Sequence, residues 1–131
     1  MALAERISRA LLSVLDYLNK SISNFKNEDE KAFFSDVWHV AAELEYTLFL
    51  LSLIVGNENN TSQTKLNHEL KSLPTDQVML KVKDLVSEAQ ESIRNGDFMK
   101  AYKSAYLARH YVFRVQESLT EKKRETDRGK K

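Results

Sequence analysis

The chain has 131 residues, 42% of them hydrophobic and 30% charged, and its net charge of +1 excludes a global electrostatic preference for nucleic acid or membrane. A single proline and three glycines favour long helices over strands and turns, and the length fits one domain. The absence of cysteine excludes disulfides and thiolate metal sites, and it agrees with a reducing, cytoplasmic compartment.

The first predicted element is an amphipathic helix from about Ala2 to Phe25. Its apolar residues recur at three- and four-residue steps, namely Ile7, Leu11, Val14, Leu18, Ile22 and Phe25. The segment lacks the charged-then-apolar pattern of a secretory signal, so we expect a structural helix. The polar string at 26–30 then forms a turn, and its acids suit the N-terminus of the next helix, where the dipole favours negative charge.

The second predicted helix covers residues 33–55 and ends at Gly56, a natural C′ residue. Its second half is apolar almost all the way round, so it must be covered by its own chain or by a partner. Three of its residues lie off the main core arc, on more sides than three neighbouring helices easily cover: Leu50, Leu53 and Ile54. We predict that they form a self-association interface. The apolar run at the end of this helix is shorter than the about 20 residues that span a bilayer, so no membrane partner is expected.

Residues 57–73 have loop composition and are closed by Pro74. Thr75 or Asp76 is expected to cap a third helix. Its buried face is predicted to carry Met79, Val82, Val86, Ala89 and Ile93.

A second tight turn follows at Asn95-Gly96-Asp97. Gly96 supplies the left-handed C′ position of the third helix, and Asp97 is the N-cap of the fourth. The fourth helix is expected from Phe98 to about Leu119, followed by a charged tail at 121–131 that frays.

These elements predict an all-α, antiparallel four-helix bundle built from two αα-hairpins. The domain covers residues 1–120, with hairpins at 1–56 and 75–120 and a loop at 57–74. The two halves also look alike at a spacing of 64 residues, which aligns Phe34 with Phe98, Trp38 with Tyr102, Ala41 with Ala105, Leu48 with Val112 and Phe49 with Phe113. An internal duplication would produce this alignment, and so would chance in helices rich in Leu and Ala.

The segment SEAQESIRNGDFMKAYKSAYLARH, residues 87–110, resembles the helical hairpins of HEPN-type domains and of small archaeal helical families without known function. The shared features are the Gly-Asp-aromatic turn and the Ala-x₃-Ala rhythm that follows it. The ribonuclease pattern of HEPN domains, an arginine followed four to six residues later by a histidine, is absent because Arg109 and His110 are adjacent. The resemblance therefore implies a helical hairpin and does not carry over the nuclease activity.

The sequence gives little indication of a catalytic or metal-binding site. Asp36, His39 and Glu43 share one helical face, but a di-iron bundle needs two Glu-x-x-His elements and two further glutamates, so we expect a solvated face. Spacing places no serine or acid beside His68 or His110, and there is no glycine-rich phosphate loop. We expect no enzyme activity, no metal and no cofactor.

A basic stripe on the fourth helix supports an alternative function. Its residues, continued by those of the tail, are Lys100, Lys103, His110, Arg114, Lys122, Lys123 and Arg124. Such a stripe could follow a phosphate backbone. Glu117 and Glu121 adjoin the same side, and a charged stripe opposite an apolar face is typical of any surface helix. The sequence thus favours a non-catalytic interaction module, self-associating or part of a larger complex, over a nucleic-acid-binding accessory protein.

Glu45 and Arg109 interrupt the predicted core arcs of the second and fourth helices. With Phe34 and Phe98 as the respective origins, both charges fall about 20° round the helix, among aromatic and alanine residues. A lone buried charge costs several kcal/mol, so we predict that the two side chains form a buried structural pair. The alternative is that one of them lines a pocket for a charged ligand.

Overall fold

The computed structural model describes residues 3–56 and 73–129, with side chains as far as residue 122, and these parts of the chain form four helices and no strand. The helices are α1 (Leu3–Lys26), α2 (Glu30–Val55), α3 (Thr75–Arg94) and α4 (Phe98–Gly129). α1 packs on α2, α3 packs on α4, and the two hairpins meet through α2 against α4 and α1 against α3. The predicted all-α bundle of two αα-hairpins is confirmed. Most of the predicted loop, residues 57–72 with His68, lies outside the described residues.

Two contacts between α2 and α4 fix their relative direction. Glu45 meets Arg109 at 2.7 Å near the middle of both helices, and Glu30 at the start of α2 lies 3.9 Å from Lys122 near the end of α4. α2 and α4 are therefore antiparallel. Because each hairpin is also antiparallel, neighbouring helices run in opposite directions throughout the bundle.

The helix termini follow the turn chemistry of the sequence with one exception. The Asp29 carboxylate accepts a hydrogen bond from Ala32 N–H at 3.2 Å, and that of Asp97 accepts one from Lys100 N–H at 3.1 Å. Gly56 and Gly96 adopt the left-handed φ values of 70° and 78° that glycine tolerates at helix ends. The prediction that Thr75 or Asp76 caps α3 is wrong.

Pro74 occupies the N-cap position of α3 instead, and no side-chain hydrogen bond caps this helix. The pyrrolidine ring fixes φ near the value of −62° found there, so the chain enters the helix at a rigid residue. This explains why Thr75 already lies inside the helix.

α1 and α3 bury most of the residues that their apolar periodicity predicts. In α1, Ile7, Leu11, Val14 and Leu18 are buried, whereas Ile22 is half-buried and Phe25 is exposed beside the ring of Phe33. In α3, the whole predicted face is buried, namely Met79, Val82, Val86, Ala89 and Ile93. A strong separation of polar and apolar residues places both helices correctly.

α2 is rotated about its axis relative to the prediction. The buried residues of α2 are Phe33, Val37, Val40, Leu44, Thr47, Leu48, Leu50 and Leu51, whereas Trp38 and Phe49 of the predicted arc are exposed. The core arc thus lies about one residue, roughly 100°, away from the predicted one. Aliphatic side chains fill the space between hairpins, and the aromatic residues that suggested the arc lie outside it.

The 64-residue alignment reappears in the burial pattern. Six aligned pairs are buried at both positions: Val37 with Ala101, Val40 with Ser104, Leu44 with Ala108, Thr47 with Tyr111, Leu48 with Val112 and Leu51 with Val115. The α2 member is larger in five of these pairs, so the aligned positions fill the core unequally.

α4 is longer than predicted. It continues to residue 129 instead of ending near Leu119, so the charged segment that begins at residue 121 extends the helix. The side chains from residue 123 onward lie outside the described part of the structure.

Candidate interaction surface

Five residues of α2 lie on the side opposite its core arc and are exposed. They follow one another at steps of four, four, three and four residues, which places them within about 80° of the helix circumference. We call this set the outer stripe: Trp38, Ala42, Tyr46, Phe49 and Leu53. α2 is therefore apolar both towards the core and towards solvent.

The predicted interface residues separate in the structure. Leu50 is only 3% exposed and belongs to the core, so its assignment to an exposed interface is wrong. The core arc is rotated towards Leu50, and packing inside the bundle covers it. Leu53 and Ile54 are exposed as predicted, by 57% and 37%. The aromatic members of the outer stripe were missed because their apolar character suggested core positions.

The other helices expose large apolar side chains much more sparsely. Among the described residues, α2 carries five of the nine exposed large hydrophobic side chains, whereas α3 contributes Leu80 alone and α4 contributes Phe113 alone. Single exposed apolar residues are normal on protein surfaces, whereas a contiguous set indicates a contact surface. The outer stripe is such a set.

Glu45 and Arg109 do meet, but at the surface and not in the core. Arg109 donates a hydrogen bond from its terminal guanidinium nitrogen to a Glu45 carboxylate oxygen at 2.7 Å, and the two side chains remain 33% and 59% exposed, respectively. The expectation of a buried pair is wrong in its burial. The core arc of α2 is rotated away from Glu45. On α4, Ala108 is buried beside Arg109, whereas Phe113 of the predicted arc is exposed. Arg109 also lies over the ring of Tyr106 at 5.8 Å.

His110 lies half-buried next to this pair on α4. Its ring contacts the ring of Tyr106 edge-on at a centroid distance of 4.6 Å, and its Nε2 is buried without a hydrogen-bond partner among the described residues. Burial, followed by the charge of Arg109, lowers the pKa of His110 from its ordinary value. The imidazole is therefore more readily neutral than an exposed histidine.

The basic stripe is interleaved with acids. Arg114 donates to Glu117 at 3.1 Å, and Lys122 lies 3.9 Å from Glu30. Lys100 and Lys103 are exposed, whereas the side chains of Lys123 and Arg124 fall outside the described part of the structure. As far as residue 122, the basic stripe is therefore interrupted by carboxylates.

The Asp36–His39–Glu43 face is engaged with α1. Asn24 donates a hydrogen bond to Asp36 at 2.6 Å, and the His39 ring stacks on Tyr17 at 4.7 Å. No group of three or more potential metal ligands exists among the described residues. Asp36 and His39 therefore contribute to the contact between α1 and α2.

An open groove of about 410 Å³ lies between the start of α3 and the C-terminal half of α4. Val78 and Val115 form its apolar floor, and the Arg114–Glu117 ion pair lies on its edge. Arg114 and Glu117 are paired with each other, and Glu121 is the further charged residue that lines the groove. A single exposed carboxylate is too little to identify a ligand.

No family model, curated protein or solved structure matches the chain. Among the described helices, α2 is the one that is long and apolar enough to cross a membrane by length and composition alone. The core helix of a bundle meets the same criterion, and α2 buries one face against α1 and α4 here.

Proposed function

We propose that this protein is a non-catalytic helical interaction module that associates with itself through the outer stripe of α2. The observation that supports the proposal most strongly is that α2 is apolar on two opposite faces, only one of which is buried among residues 3–56 and 73–122. Removing apolar surface from water stabilises a complex by roughly 25 cal/mol per Å² before the costs of association.

The composition of the stripe also supports a contact surface. Trp and Tyr are enriched among the interface residues that contribute most to affinity, and the stripe contains Trp38 and Tyr46 beside Phe49. Charged side chains are depleted from the centres of interfaces, and no member of the stripe is charged.

Nucleic-acid binding through the basic stripe is the less favoured alternative. Its described cations Arg114 and Lys122 each lie beside a carboxylate, which reduces the positive field that a phosphate backbone would meet. Retention on a single-stranded oligonucleotide that weakens steeply with salt would favour this alternative.

The test of the proposal compares Leu53→Lys with Leu80→Lys in sedimentation velocity. Both residues are about half-exposed leucines, but Leu53 belongs to the outer stripe and Leu80 lies on α3. Lysine near the C-terminus of α2 interacts favourably with the helix dipole, so a loss of association cannot be attributed to a weakened helix.

We expect the wild type and Leu80→Lys to dimerise and Leu53→Lys to remain monomeric, with equal helix content by circular dichroism. A wild-type protein that stays monomeric at tens of micromolar would refute self-association. Equal weakening by both variants would place the interface elsewhere.

A further inference from the structure

We infer that the partner on the outer stripe is a second copy of the chain whose α2 runs antiparallel to the first, with the two-fold axis near residues 45 and 46. The inference rests on the proposed function and adds the geometry of the contact. Two independent features carry it: the order of side-chain sizes along the stripe, and the Glu45–Arg109 ion pair beside the midpoint of the stripe.

The stripe is symmetric about its midpoint in position. Trp38 lies as far before the midpoint as Leu53 lies after it, and Ala42 and Phe49 form a second such pair. A two-fold axis perpendicular to the helix at the midpoint therefore places Ala42 opposite the partner's Phe49. It also places Trp38 opposite the partner's Leu53.

The pairing of Ala42 with the partner's Phe49 matches a small side chain with a large one. Phe49 is 59% exposed and projects from α2, whereas Ala42 is the smallest residue of the stripe. Facing surfaces pack best when large and small residues alternate, because unfilled space between helices is destabilising. A parallel pair in register would instead set Ala42 against its own copy and Phe49 against its own copy, leaving a gap at one level and crowding at the other.

Helix dipoles favour the same orientation. Each α2 carries partial positive charge at its N-terminus and partial negative charge at its C-terminus. The antiparallel pair sets opposite ends together, whereas the parallel pair sets like ends together.

The charge pair is consistent with the position of the axis. Glu45 lies at the midpoint, so the two-fold axis brings it near the Glu45 of the second copy. Two carboxylates alone would repel each other, but Arg109 already neutralises Glu45 at 2.7 Å within each chain. The centre of the dimer then holds two carboxylates and two guanidinium groups, which is a balanced set of charges.

Engineered cysteines test the orientation, because the native chain contains none. Ala42→Cys alone should not crosslink under oxidation, since antiparallel packing offsets the two copies of residue 42 by about 10 Å along the helix axis. The double variant Ala42→Cys/Phe49→Cys should form a covalent dimer, because each new thiol faces the other's position in the partner. A disulfide within one chain is excluded, since the two Cα atoms lie about 10 Å apart on one helix and a disulfide needs less than about 7 Å.

Leu12→Cys, on the exposed face of α1, is the control for random collision. A mixture of singly substituted Trp38→Cys and Leu53→Cys chains is a second, independent probe, and it should yield the mixed dimer in excess over either homodimer. Efficient crosslinking of Ala42→Cys alone, or of Trp38→Cys with itself, would overturn the antiparallel arrangement while leaving self-association intact. A wild-type protein that sediments as a monomer would instead overturn the proposed function as well.

Discussion

The outer stripe of α2 and the five aligned positions of α4 lie on similar helices and present different chemistry. On α2 the five positions are Trp38, Ala42, Tyr46, Phe49 and Leu53, and on α4 they are Tyr102, Tyr106, His110, Phe113 and Glu117. The apolar stripe of α2 is thus replaced on α4 by a face with a histidine and a glutamate. Both helices nevertheless bury residues at six aligned core positions.

This difference separates the requirements of the fold from those of the proposed contact. Residues at core positions must be apolar or have their polar groups hydrogen-bonded in both hairpins, because both hairpins pack against the same interior. Outward positions have no such requirement, so an apolar set confined to α2 needs a reason outside the fold. The proposed self-association through α2 would supply that reason.

Removing one charge of the Glu45–Arg109 pair is expected to change self-association. In Arg109→Gln the two Glu45 carboxylates of the antiparallel dimer lose their counter-charges, so we expect self-association to weaken by about 1 kcal/mol, roughly fivefold. In Glu45→Gln the groups that lose their counter-charges are the guanidinium groups, which belong to α4 and not to the α2–α2 contact, so association should weaken less than in Arg109→Gln. Sedimentation equilibrium at low ionic strength, where screening is weakest, measures both.

The same variants serve as a control on folding. Because both side chains are substantially exposed, their coupling in the free energy of unfolding should be only about 0.2–1 kcal/mol in a double-mutant cycle. Weakening of association by Glu45→Gln to the same degree as by Arg109→Gln would remove Glu45 from the dimer axis. A coupling of several kcal/mol would contradict the surface position of the pair.

A smaller effect is expected at His110, which aligns with Tyr46 of the outer stripe. Because burial and Arg109 lower the pKa of His110 in the folded protein, the unfolded chain binds its proton more readily. Stability should therefore fall as the pH drops below the ordinary histidine value of 6.5 and level off below the folded-state pKa.

His110→Gln should remove this part of the acid sensitivity, as measured by chemical denaturation across the acidic range. The matched control is His39→Gln, which leaves the Tyr106–His110 contact in place. An unchanged pH profile in His110→Gln would mean that the histidine does not contribute to the acid response.

The bundle was predictable because α1 and α3 separate apolar and polar residues cleanly. For Met79, Val82 and Val86 the three- and four-residue rhythm leaves one possible core face. The turn at Asn95-Gly96-Asp97 was equally predictable, since glycine adopts the positive φ of residue 96 without strain.

The rotation of α2 and the exposure of the Glu45–Arg109 pair could not be predicted in the same way. α2 is apolar almost all the way round, so periodicity alone does not fix its rotation. The aromatic residues indicated an arc about one residue away from the buried one. The contact between Glu45 and Arg109 was still predictable from their aligned positions, because two charges that interrupt apolar arcs at one level tend to be paired. Their burial depended on which arc faces inward.

The most direct test of the central claim compares Phe49→Asp with Phe113→Asp in one dilution series of native mass. The two phenylalanines occupy aligned positions and are 59% and 50% exposed, so the substitutions place the same charge at similarly exposed positions on α2 and α4. We predict that the wild type and Phe113→Asp approach twice the chain mass of 15.1 kDa at tens of micromolar, while Phe49→Asp remains at 15.1 kDa. Equal disruption by both variants, or a monomeric wild type throughout the series, would contradict the claim that the outer stripe of α2 holds the dimer together.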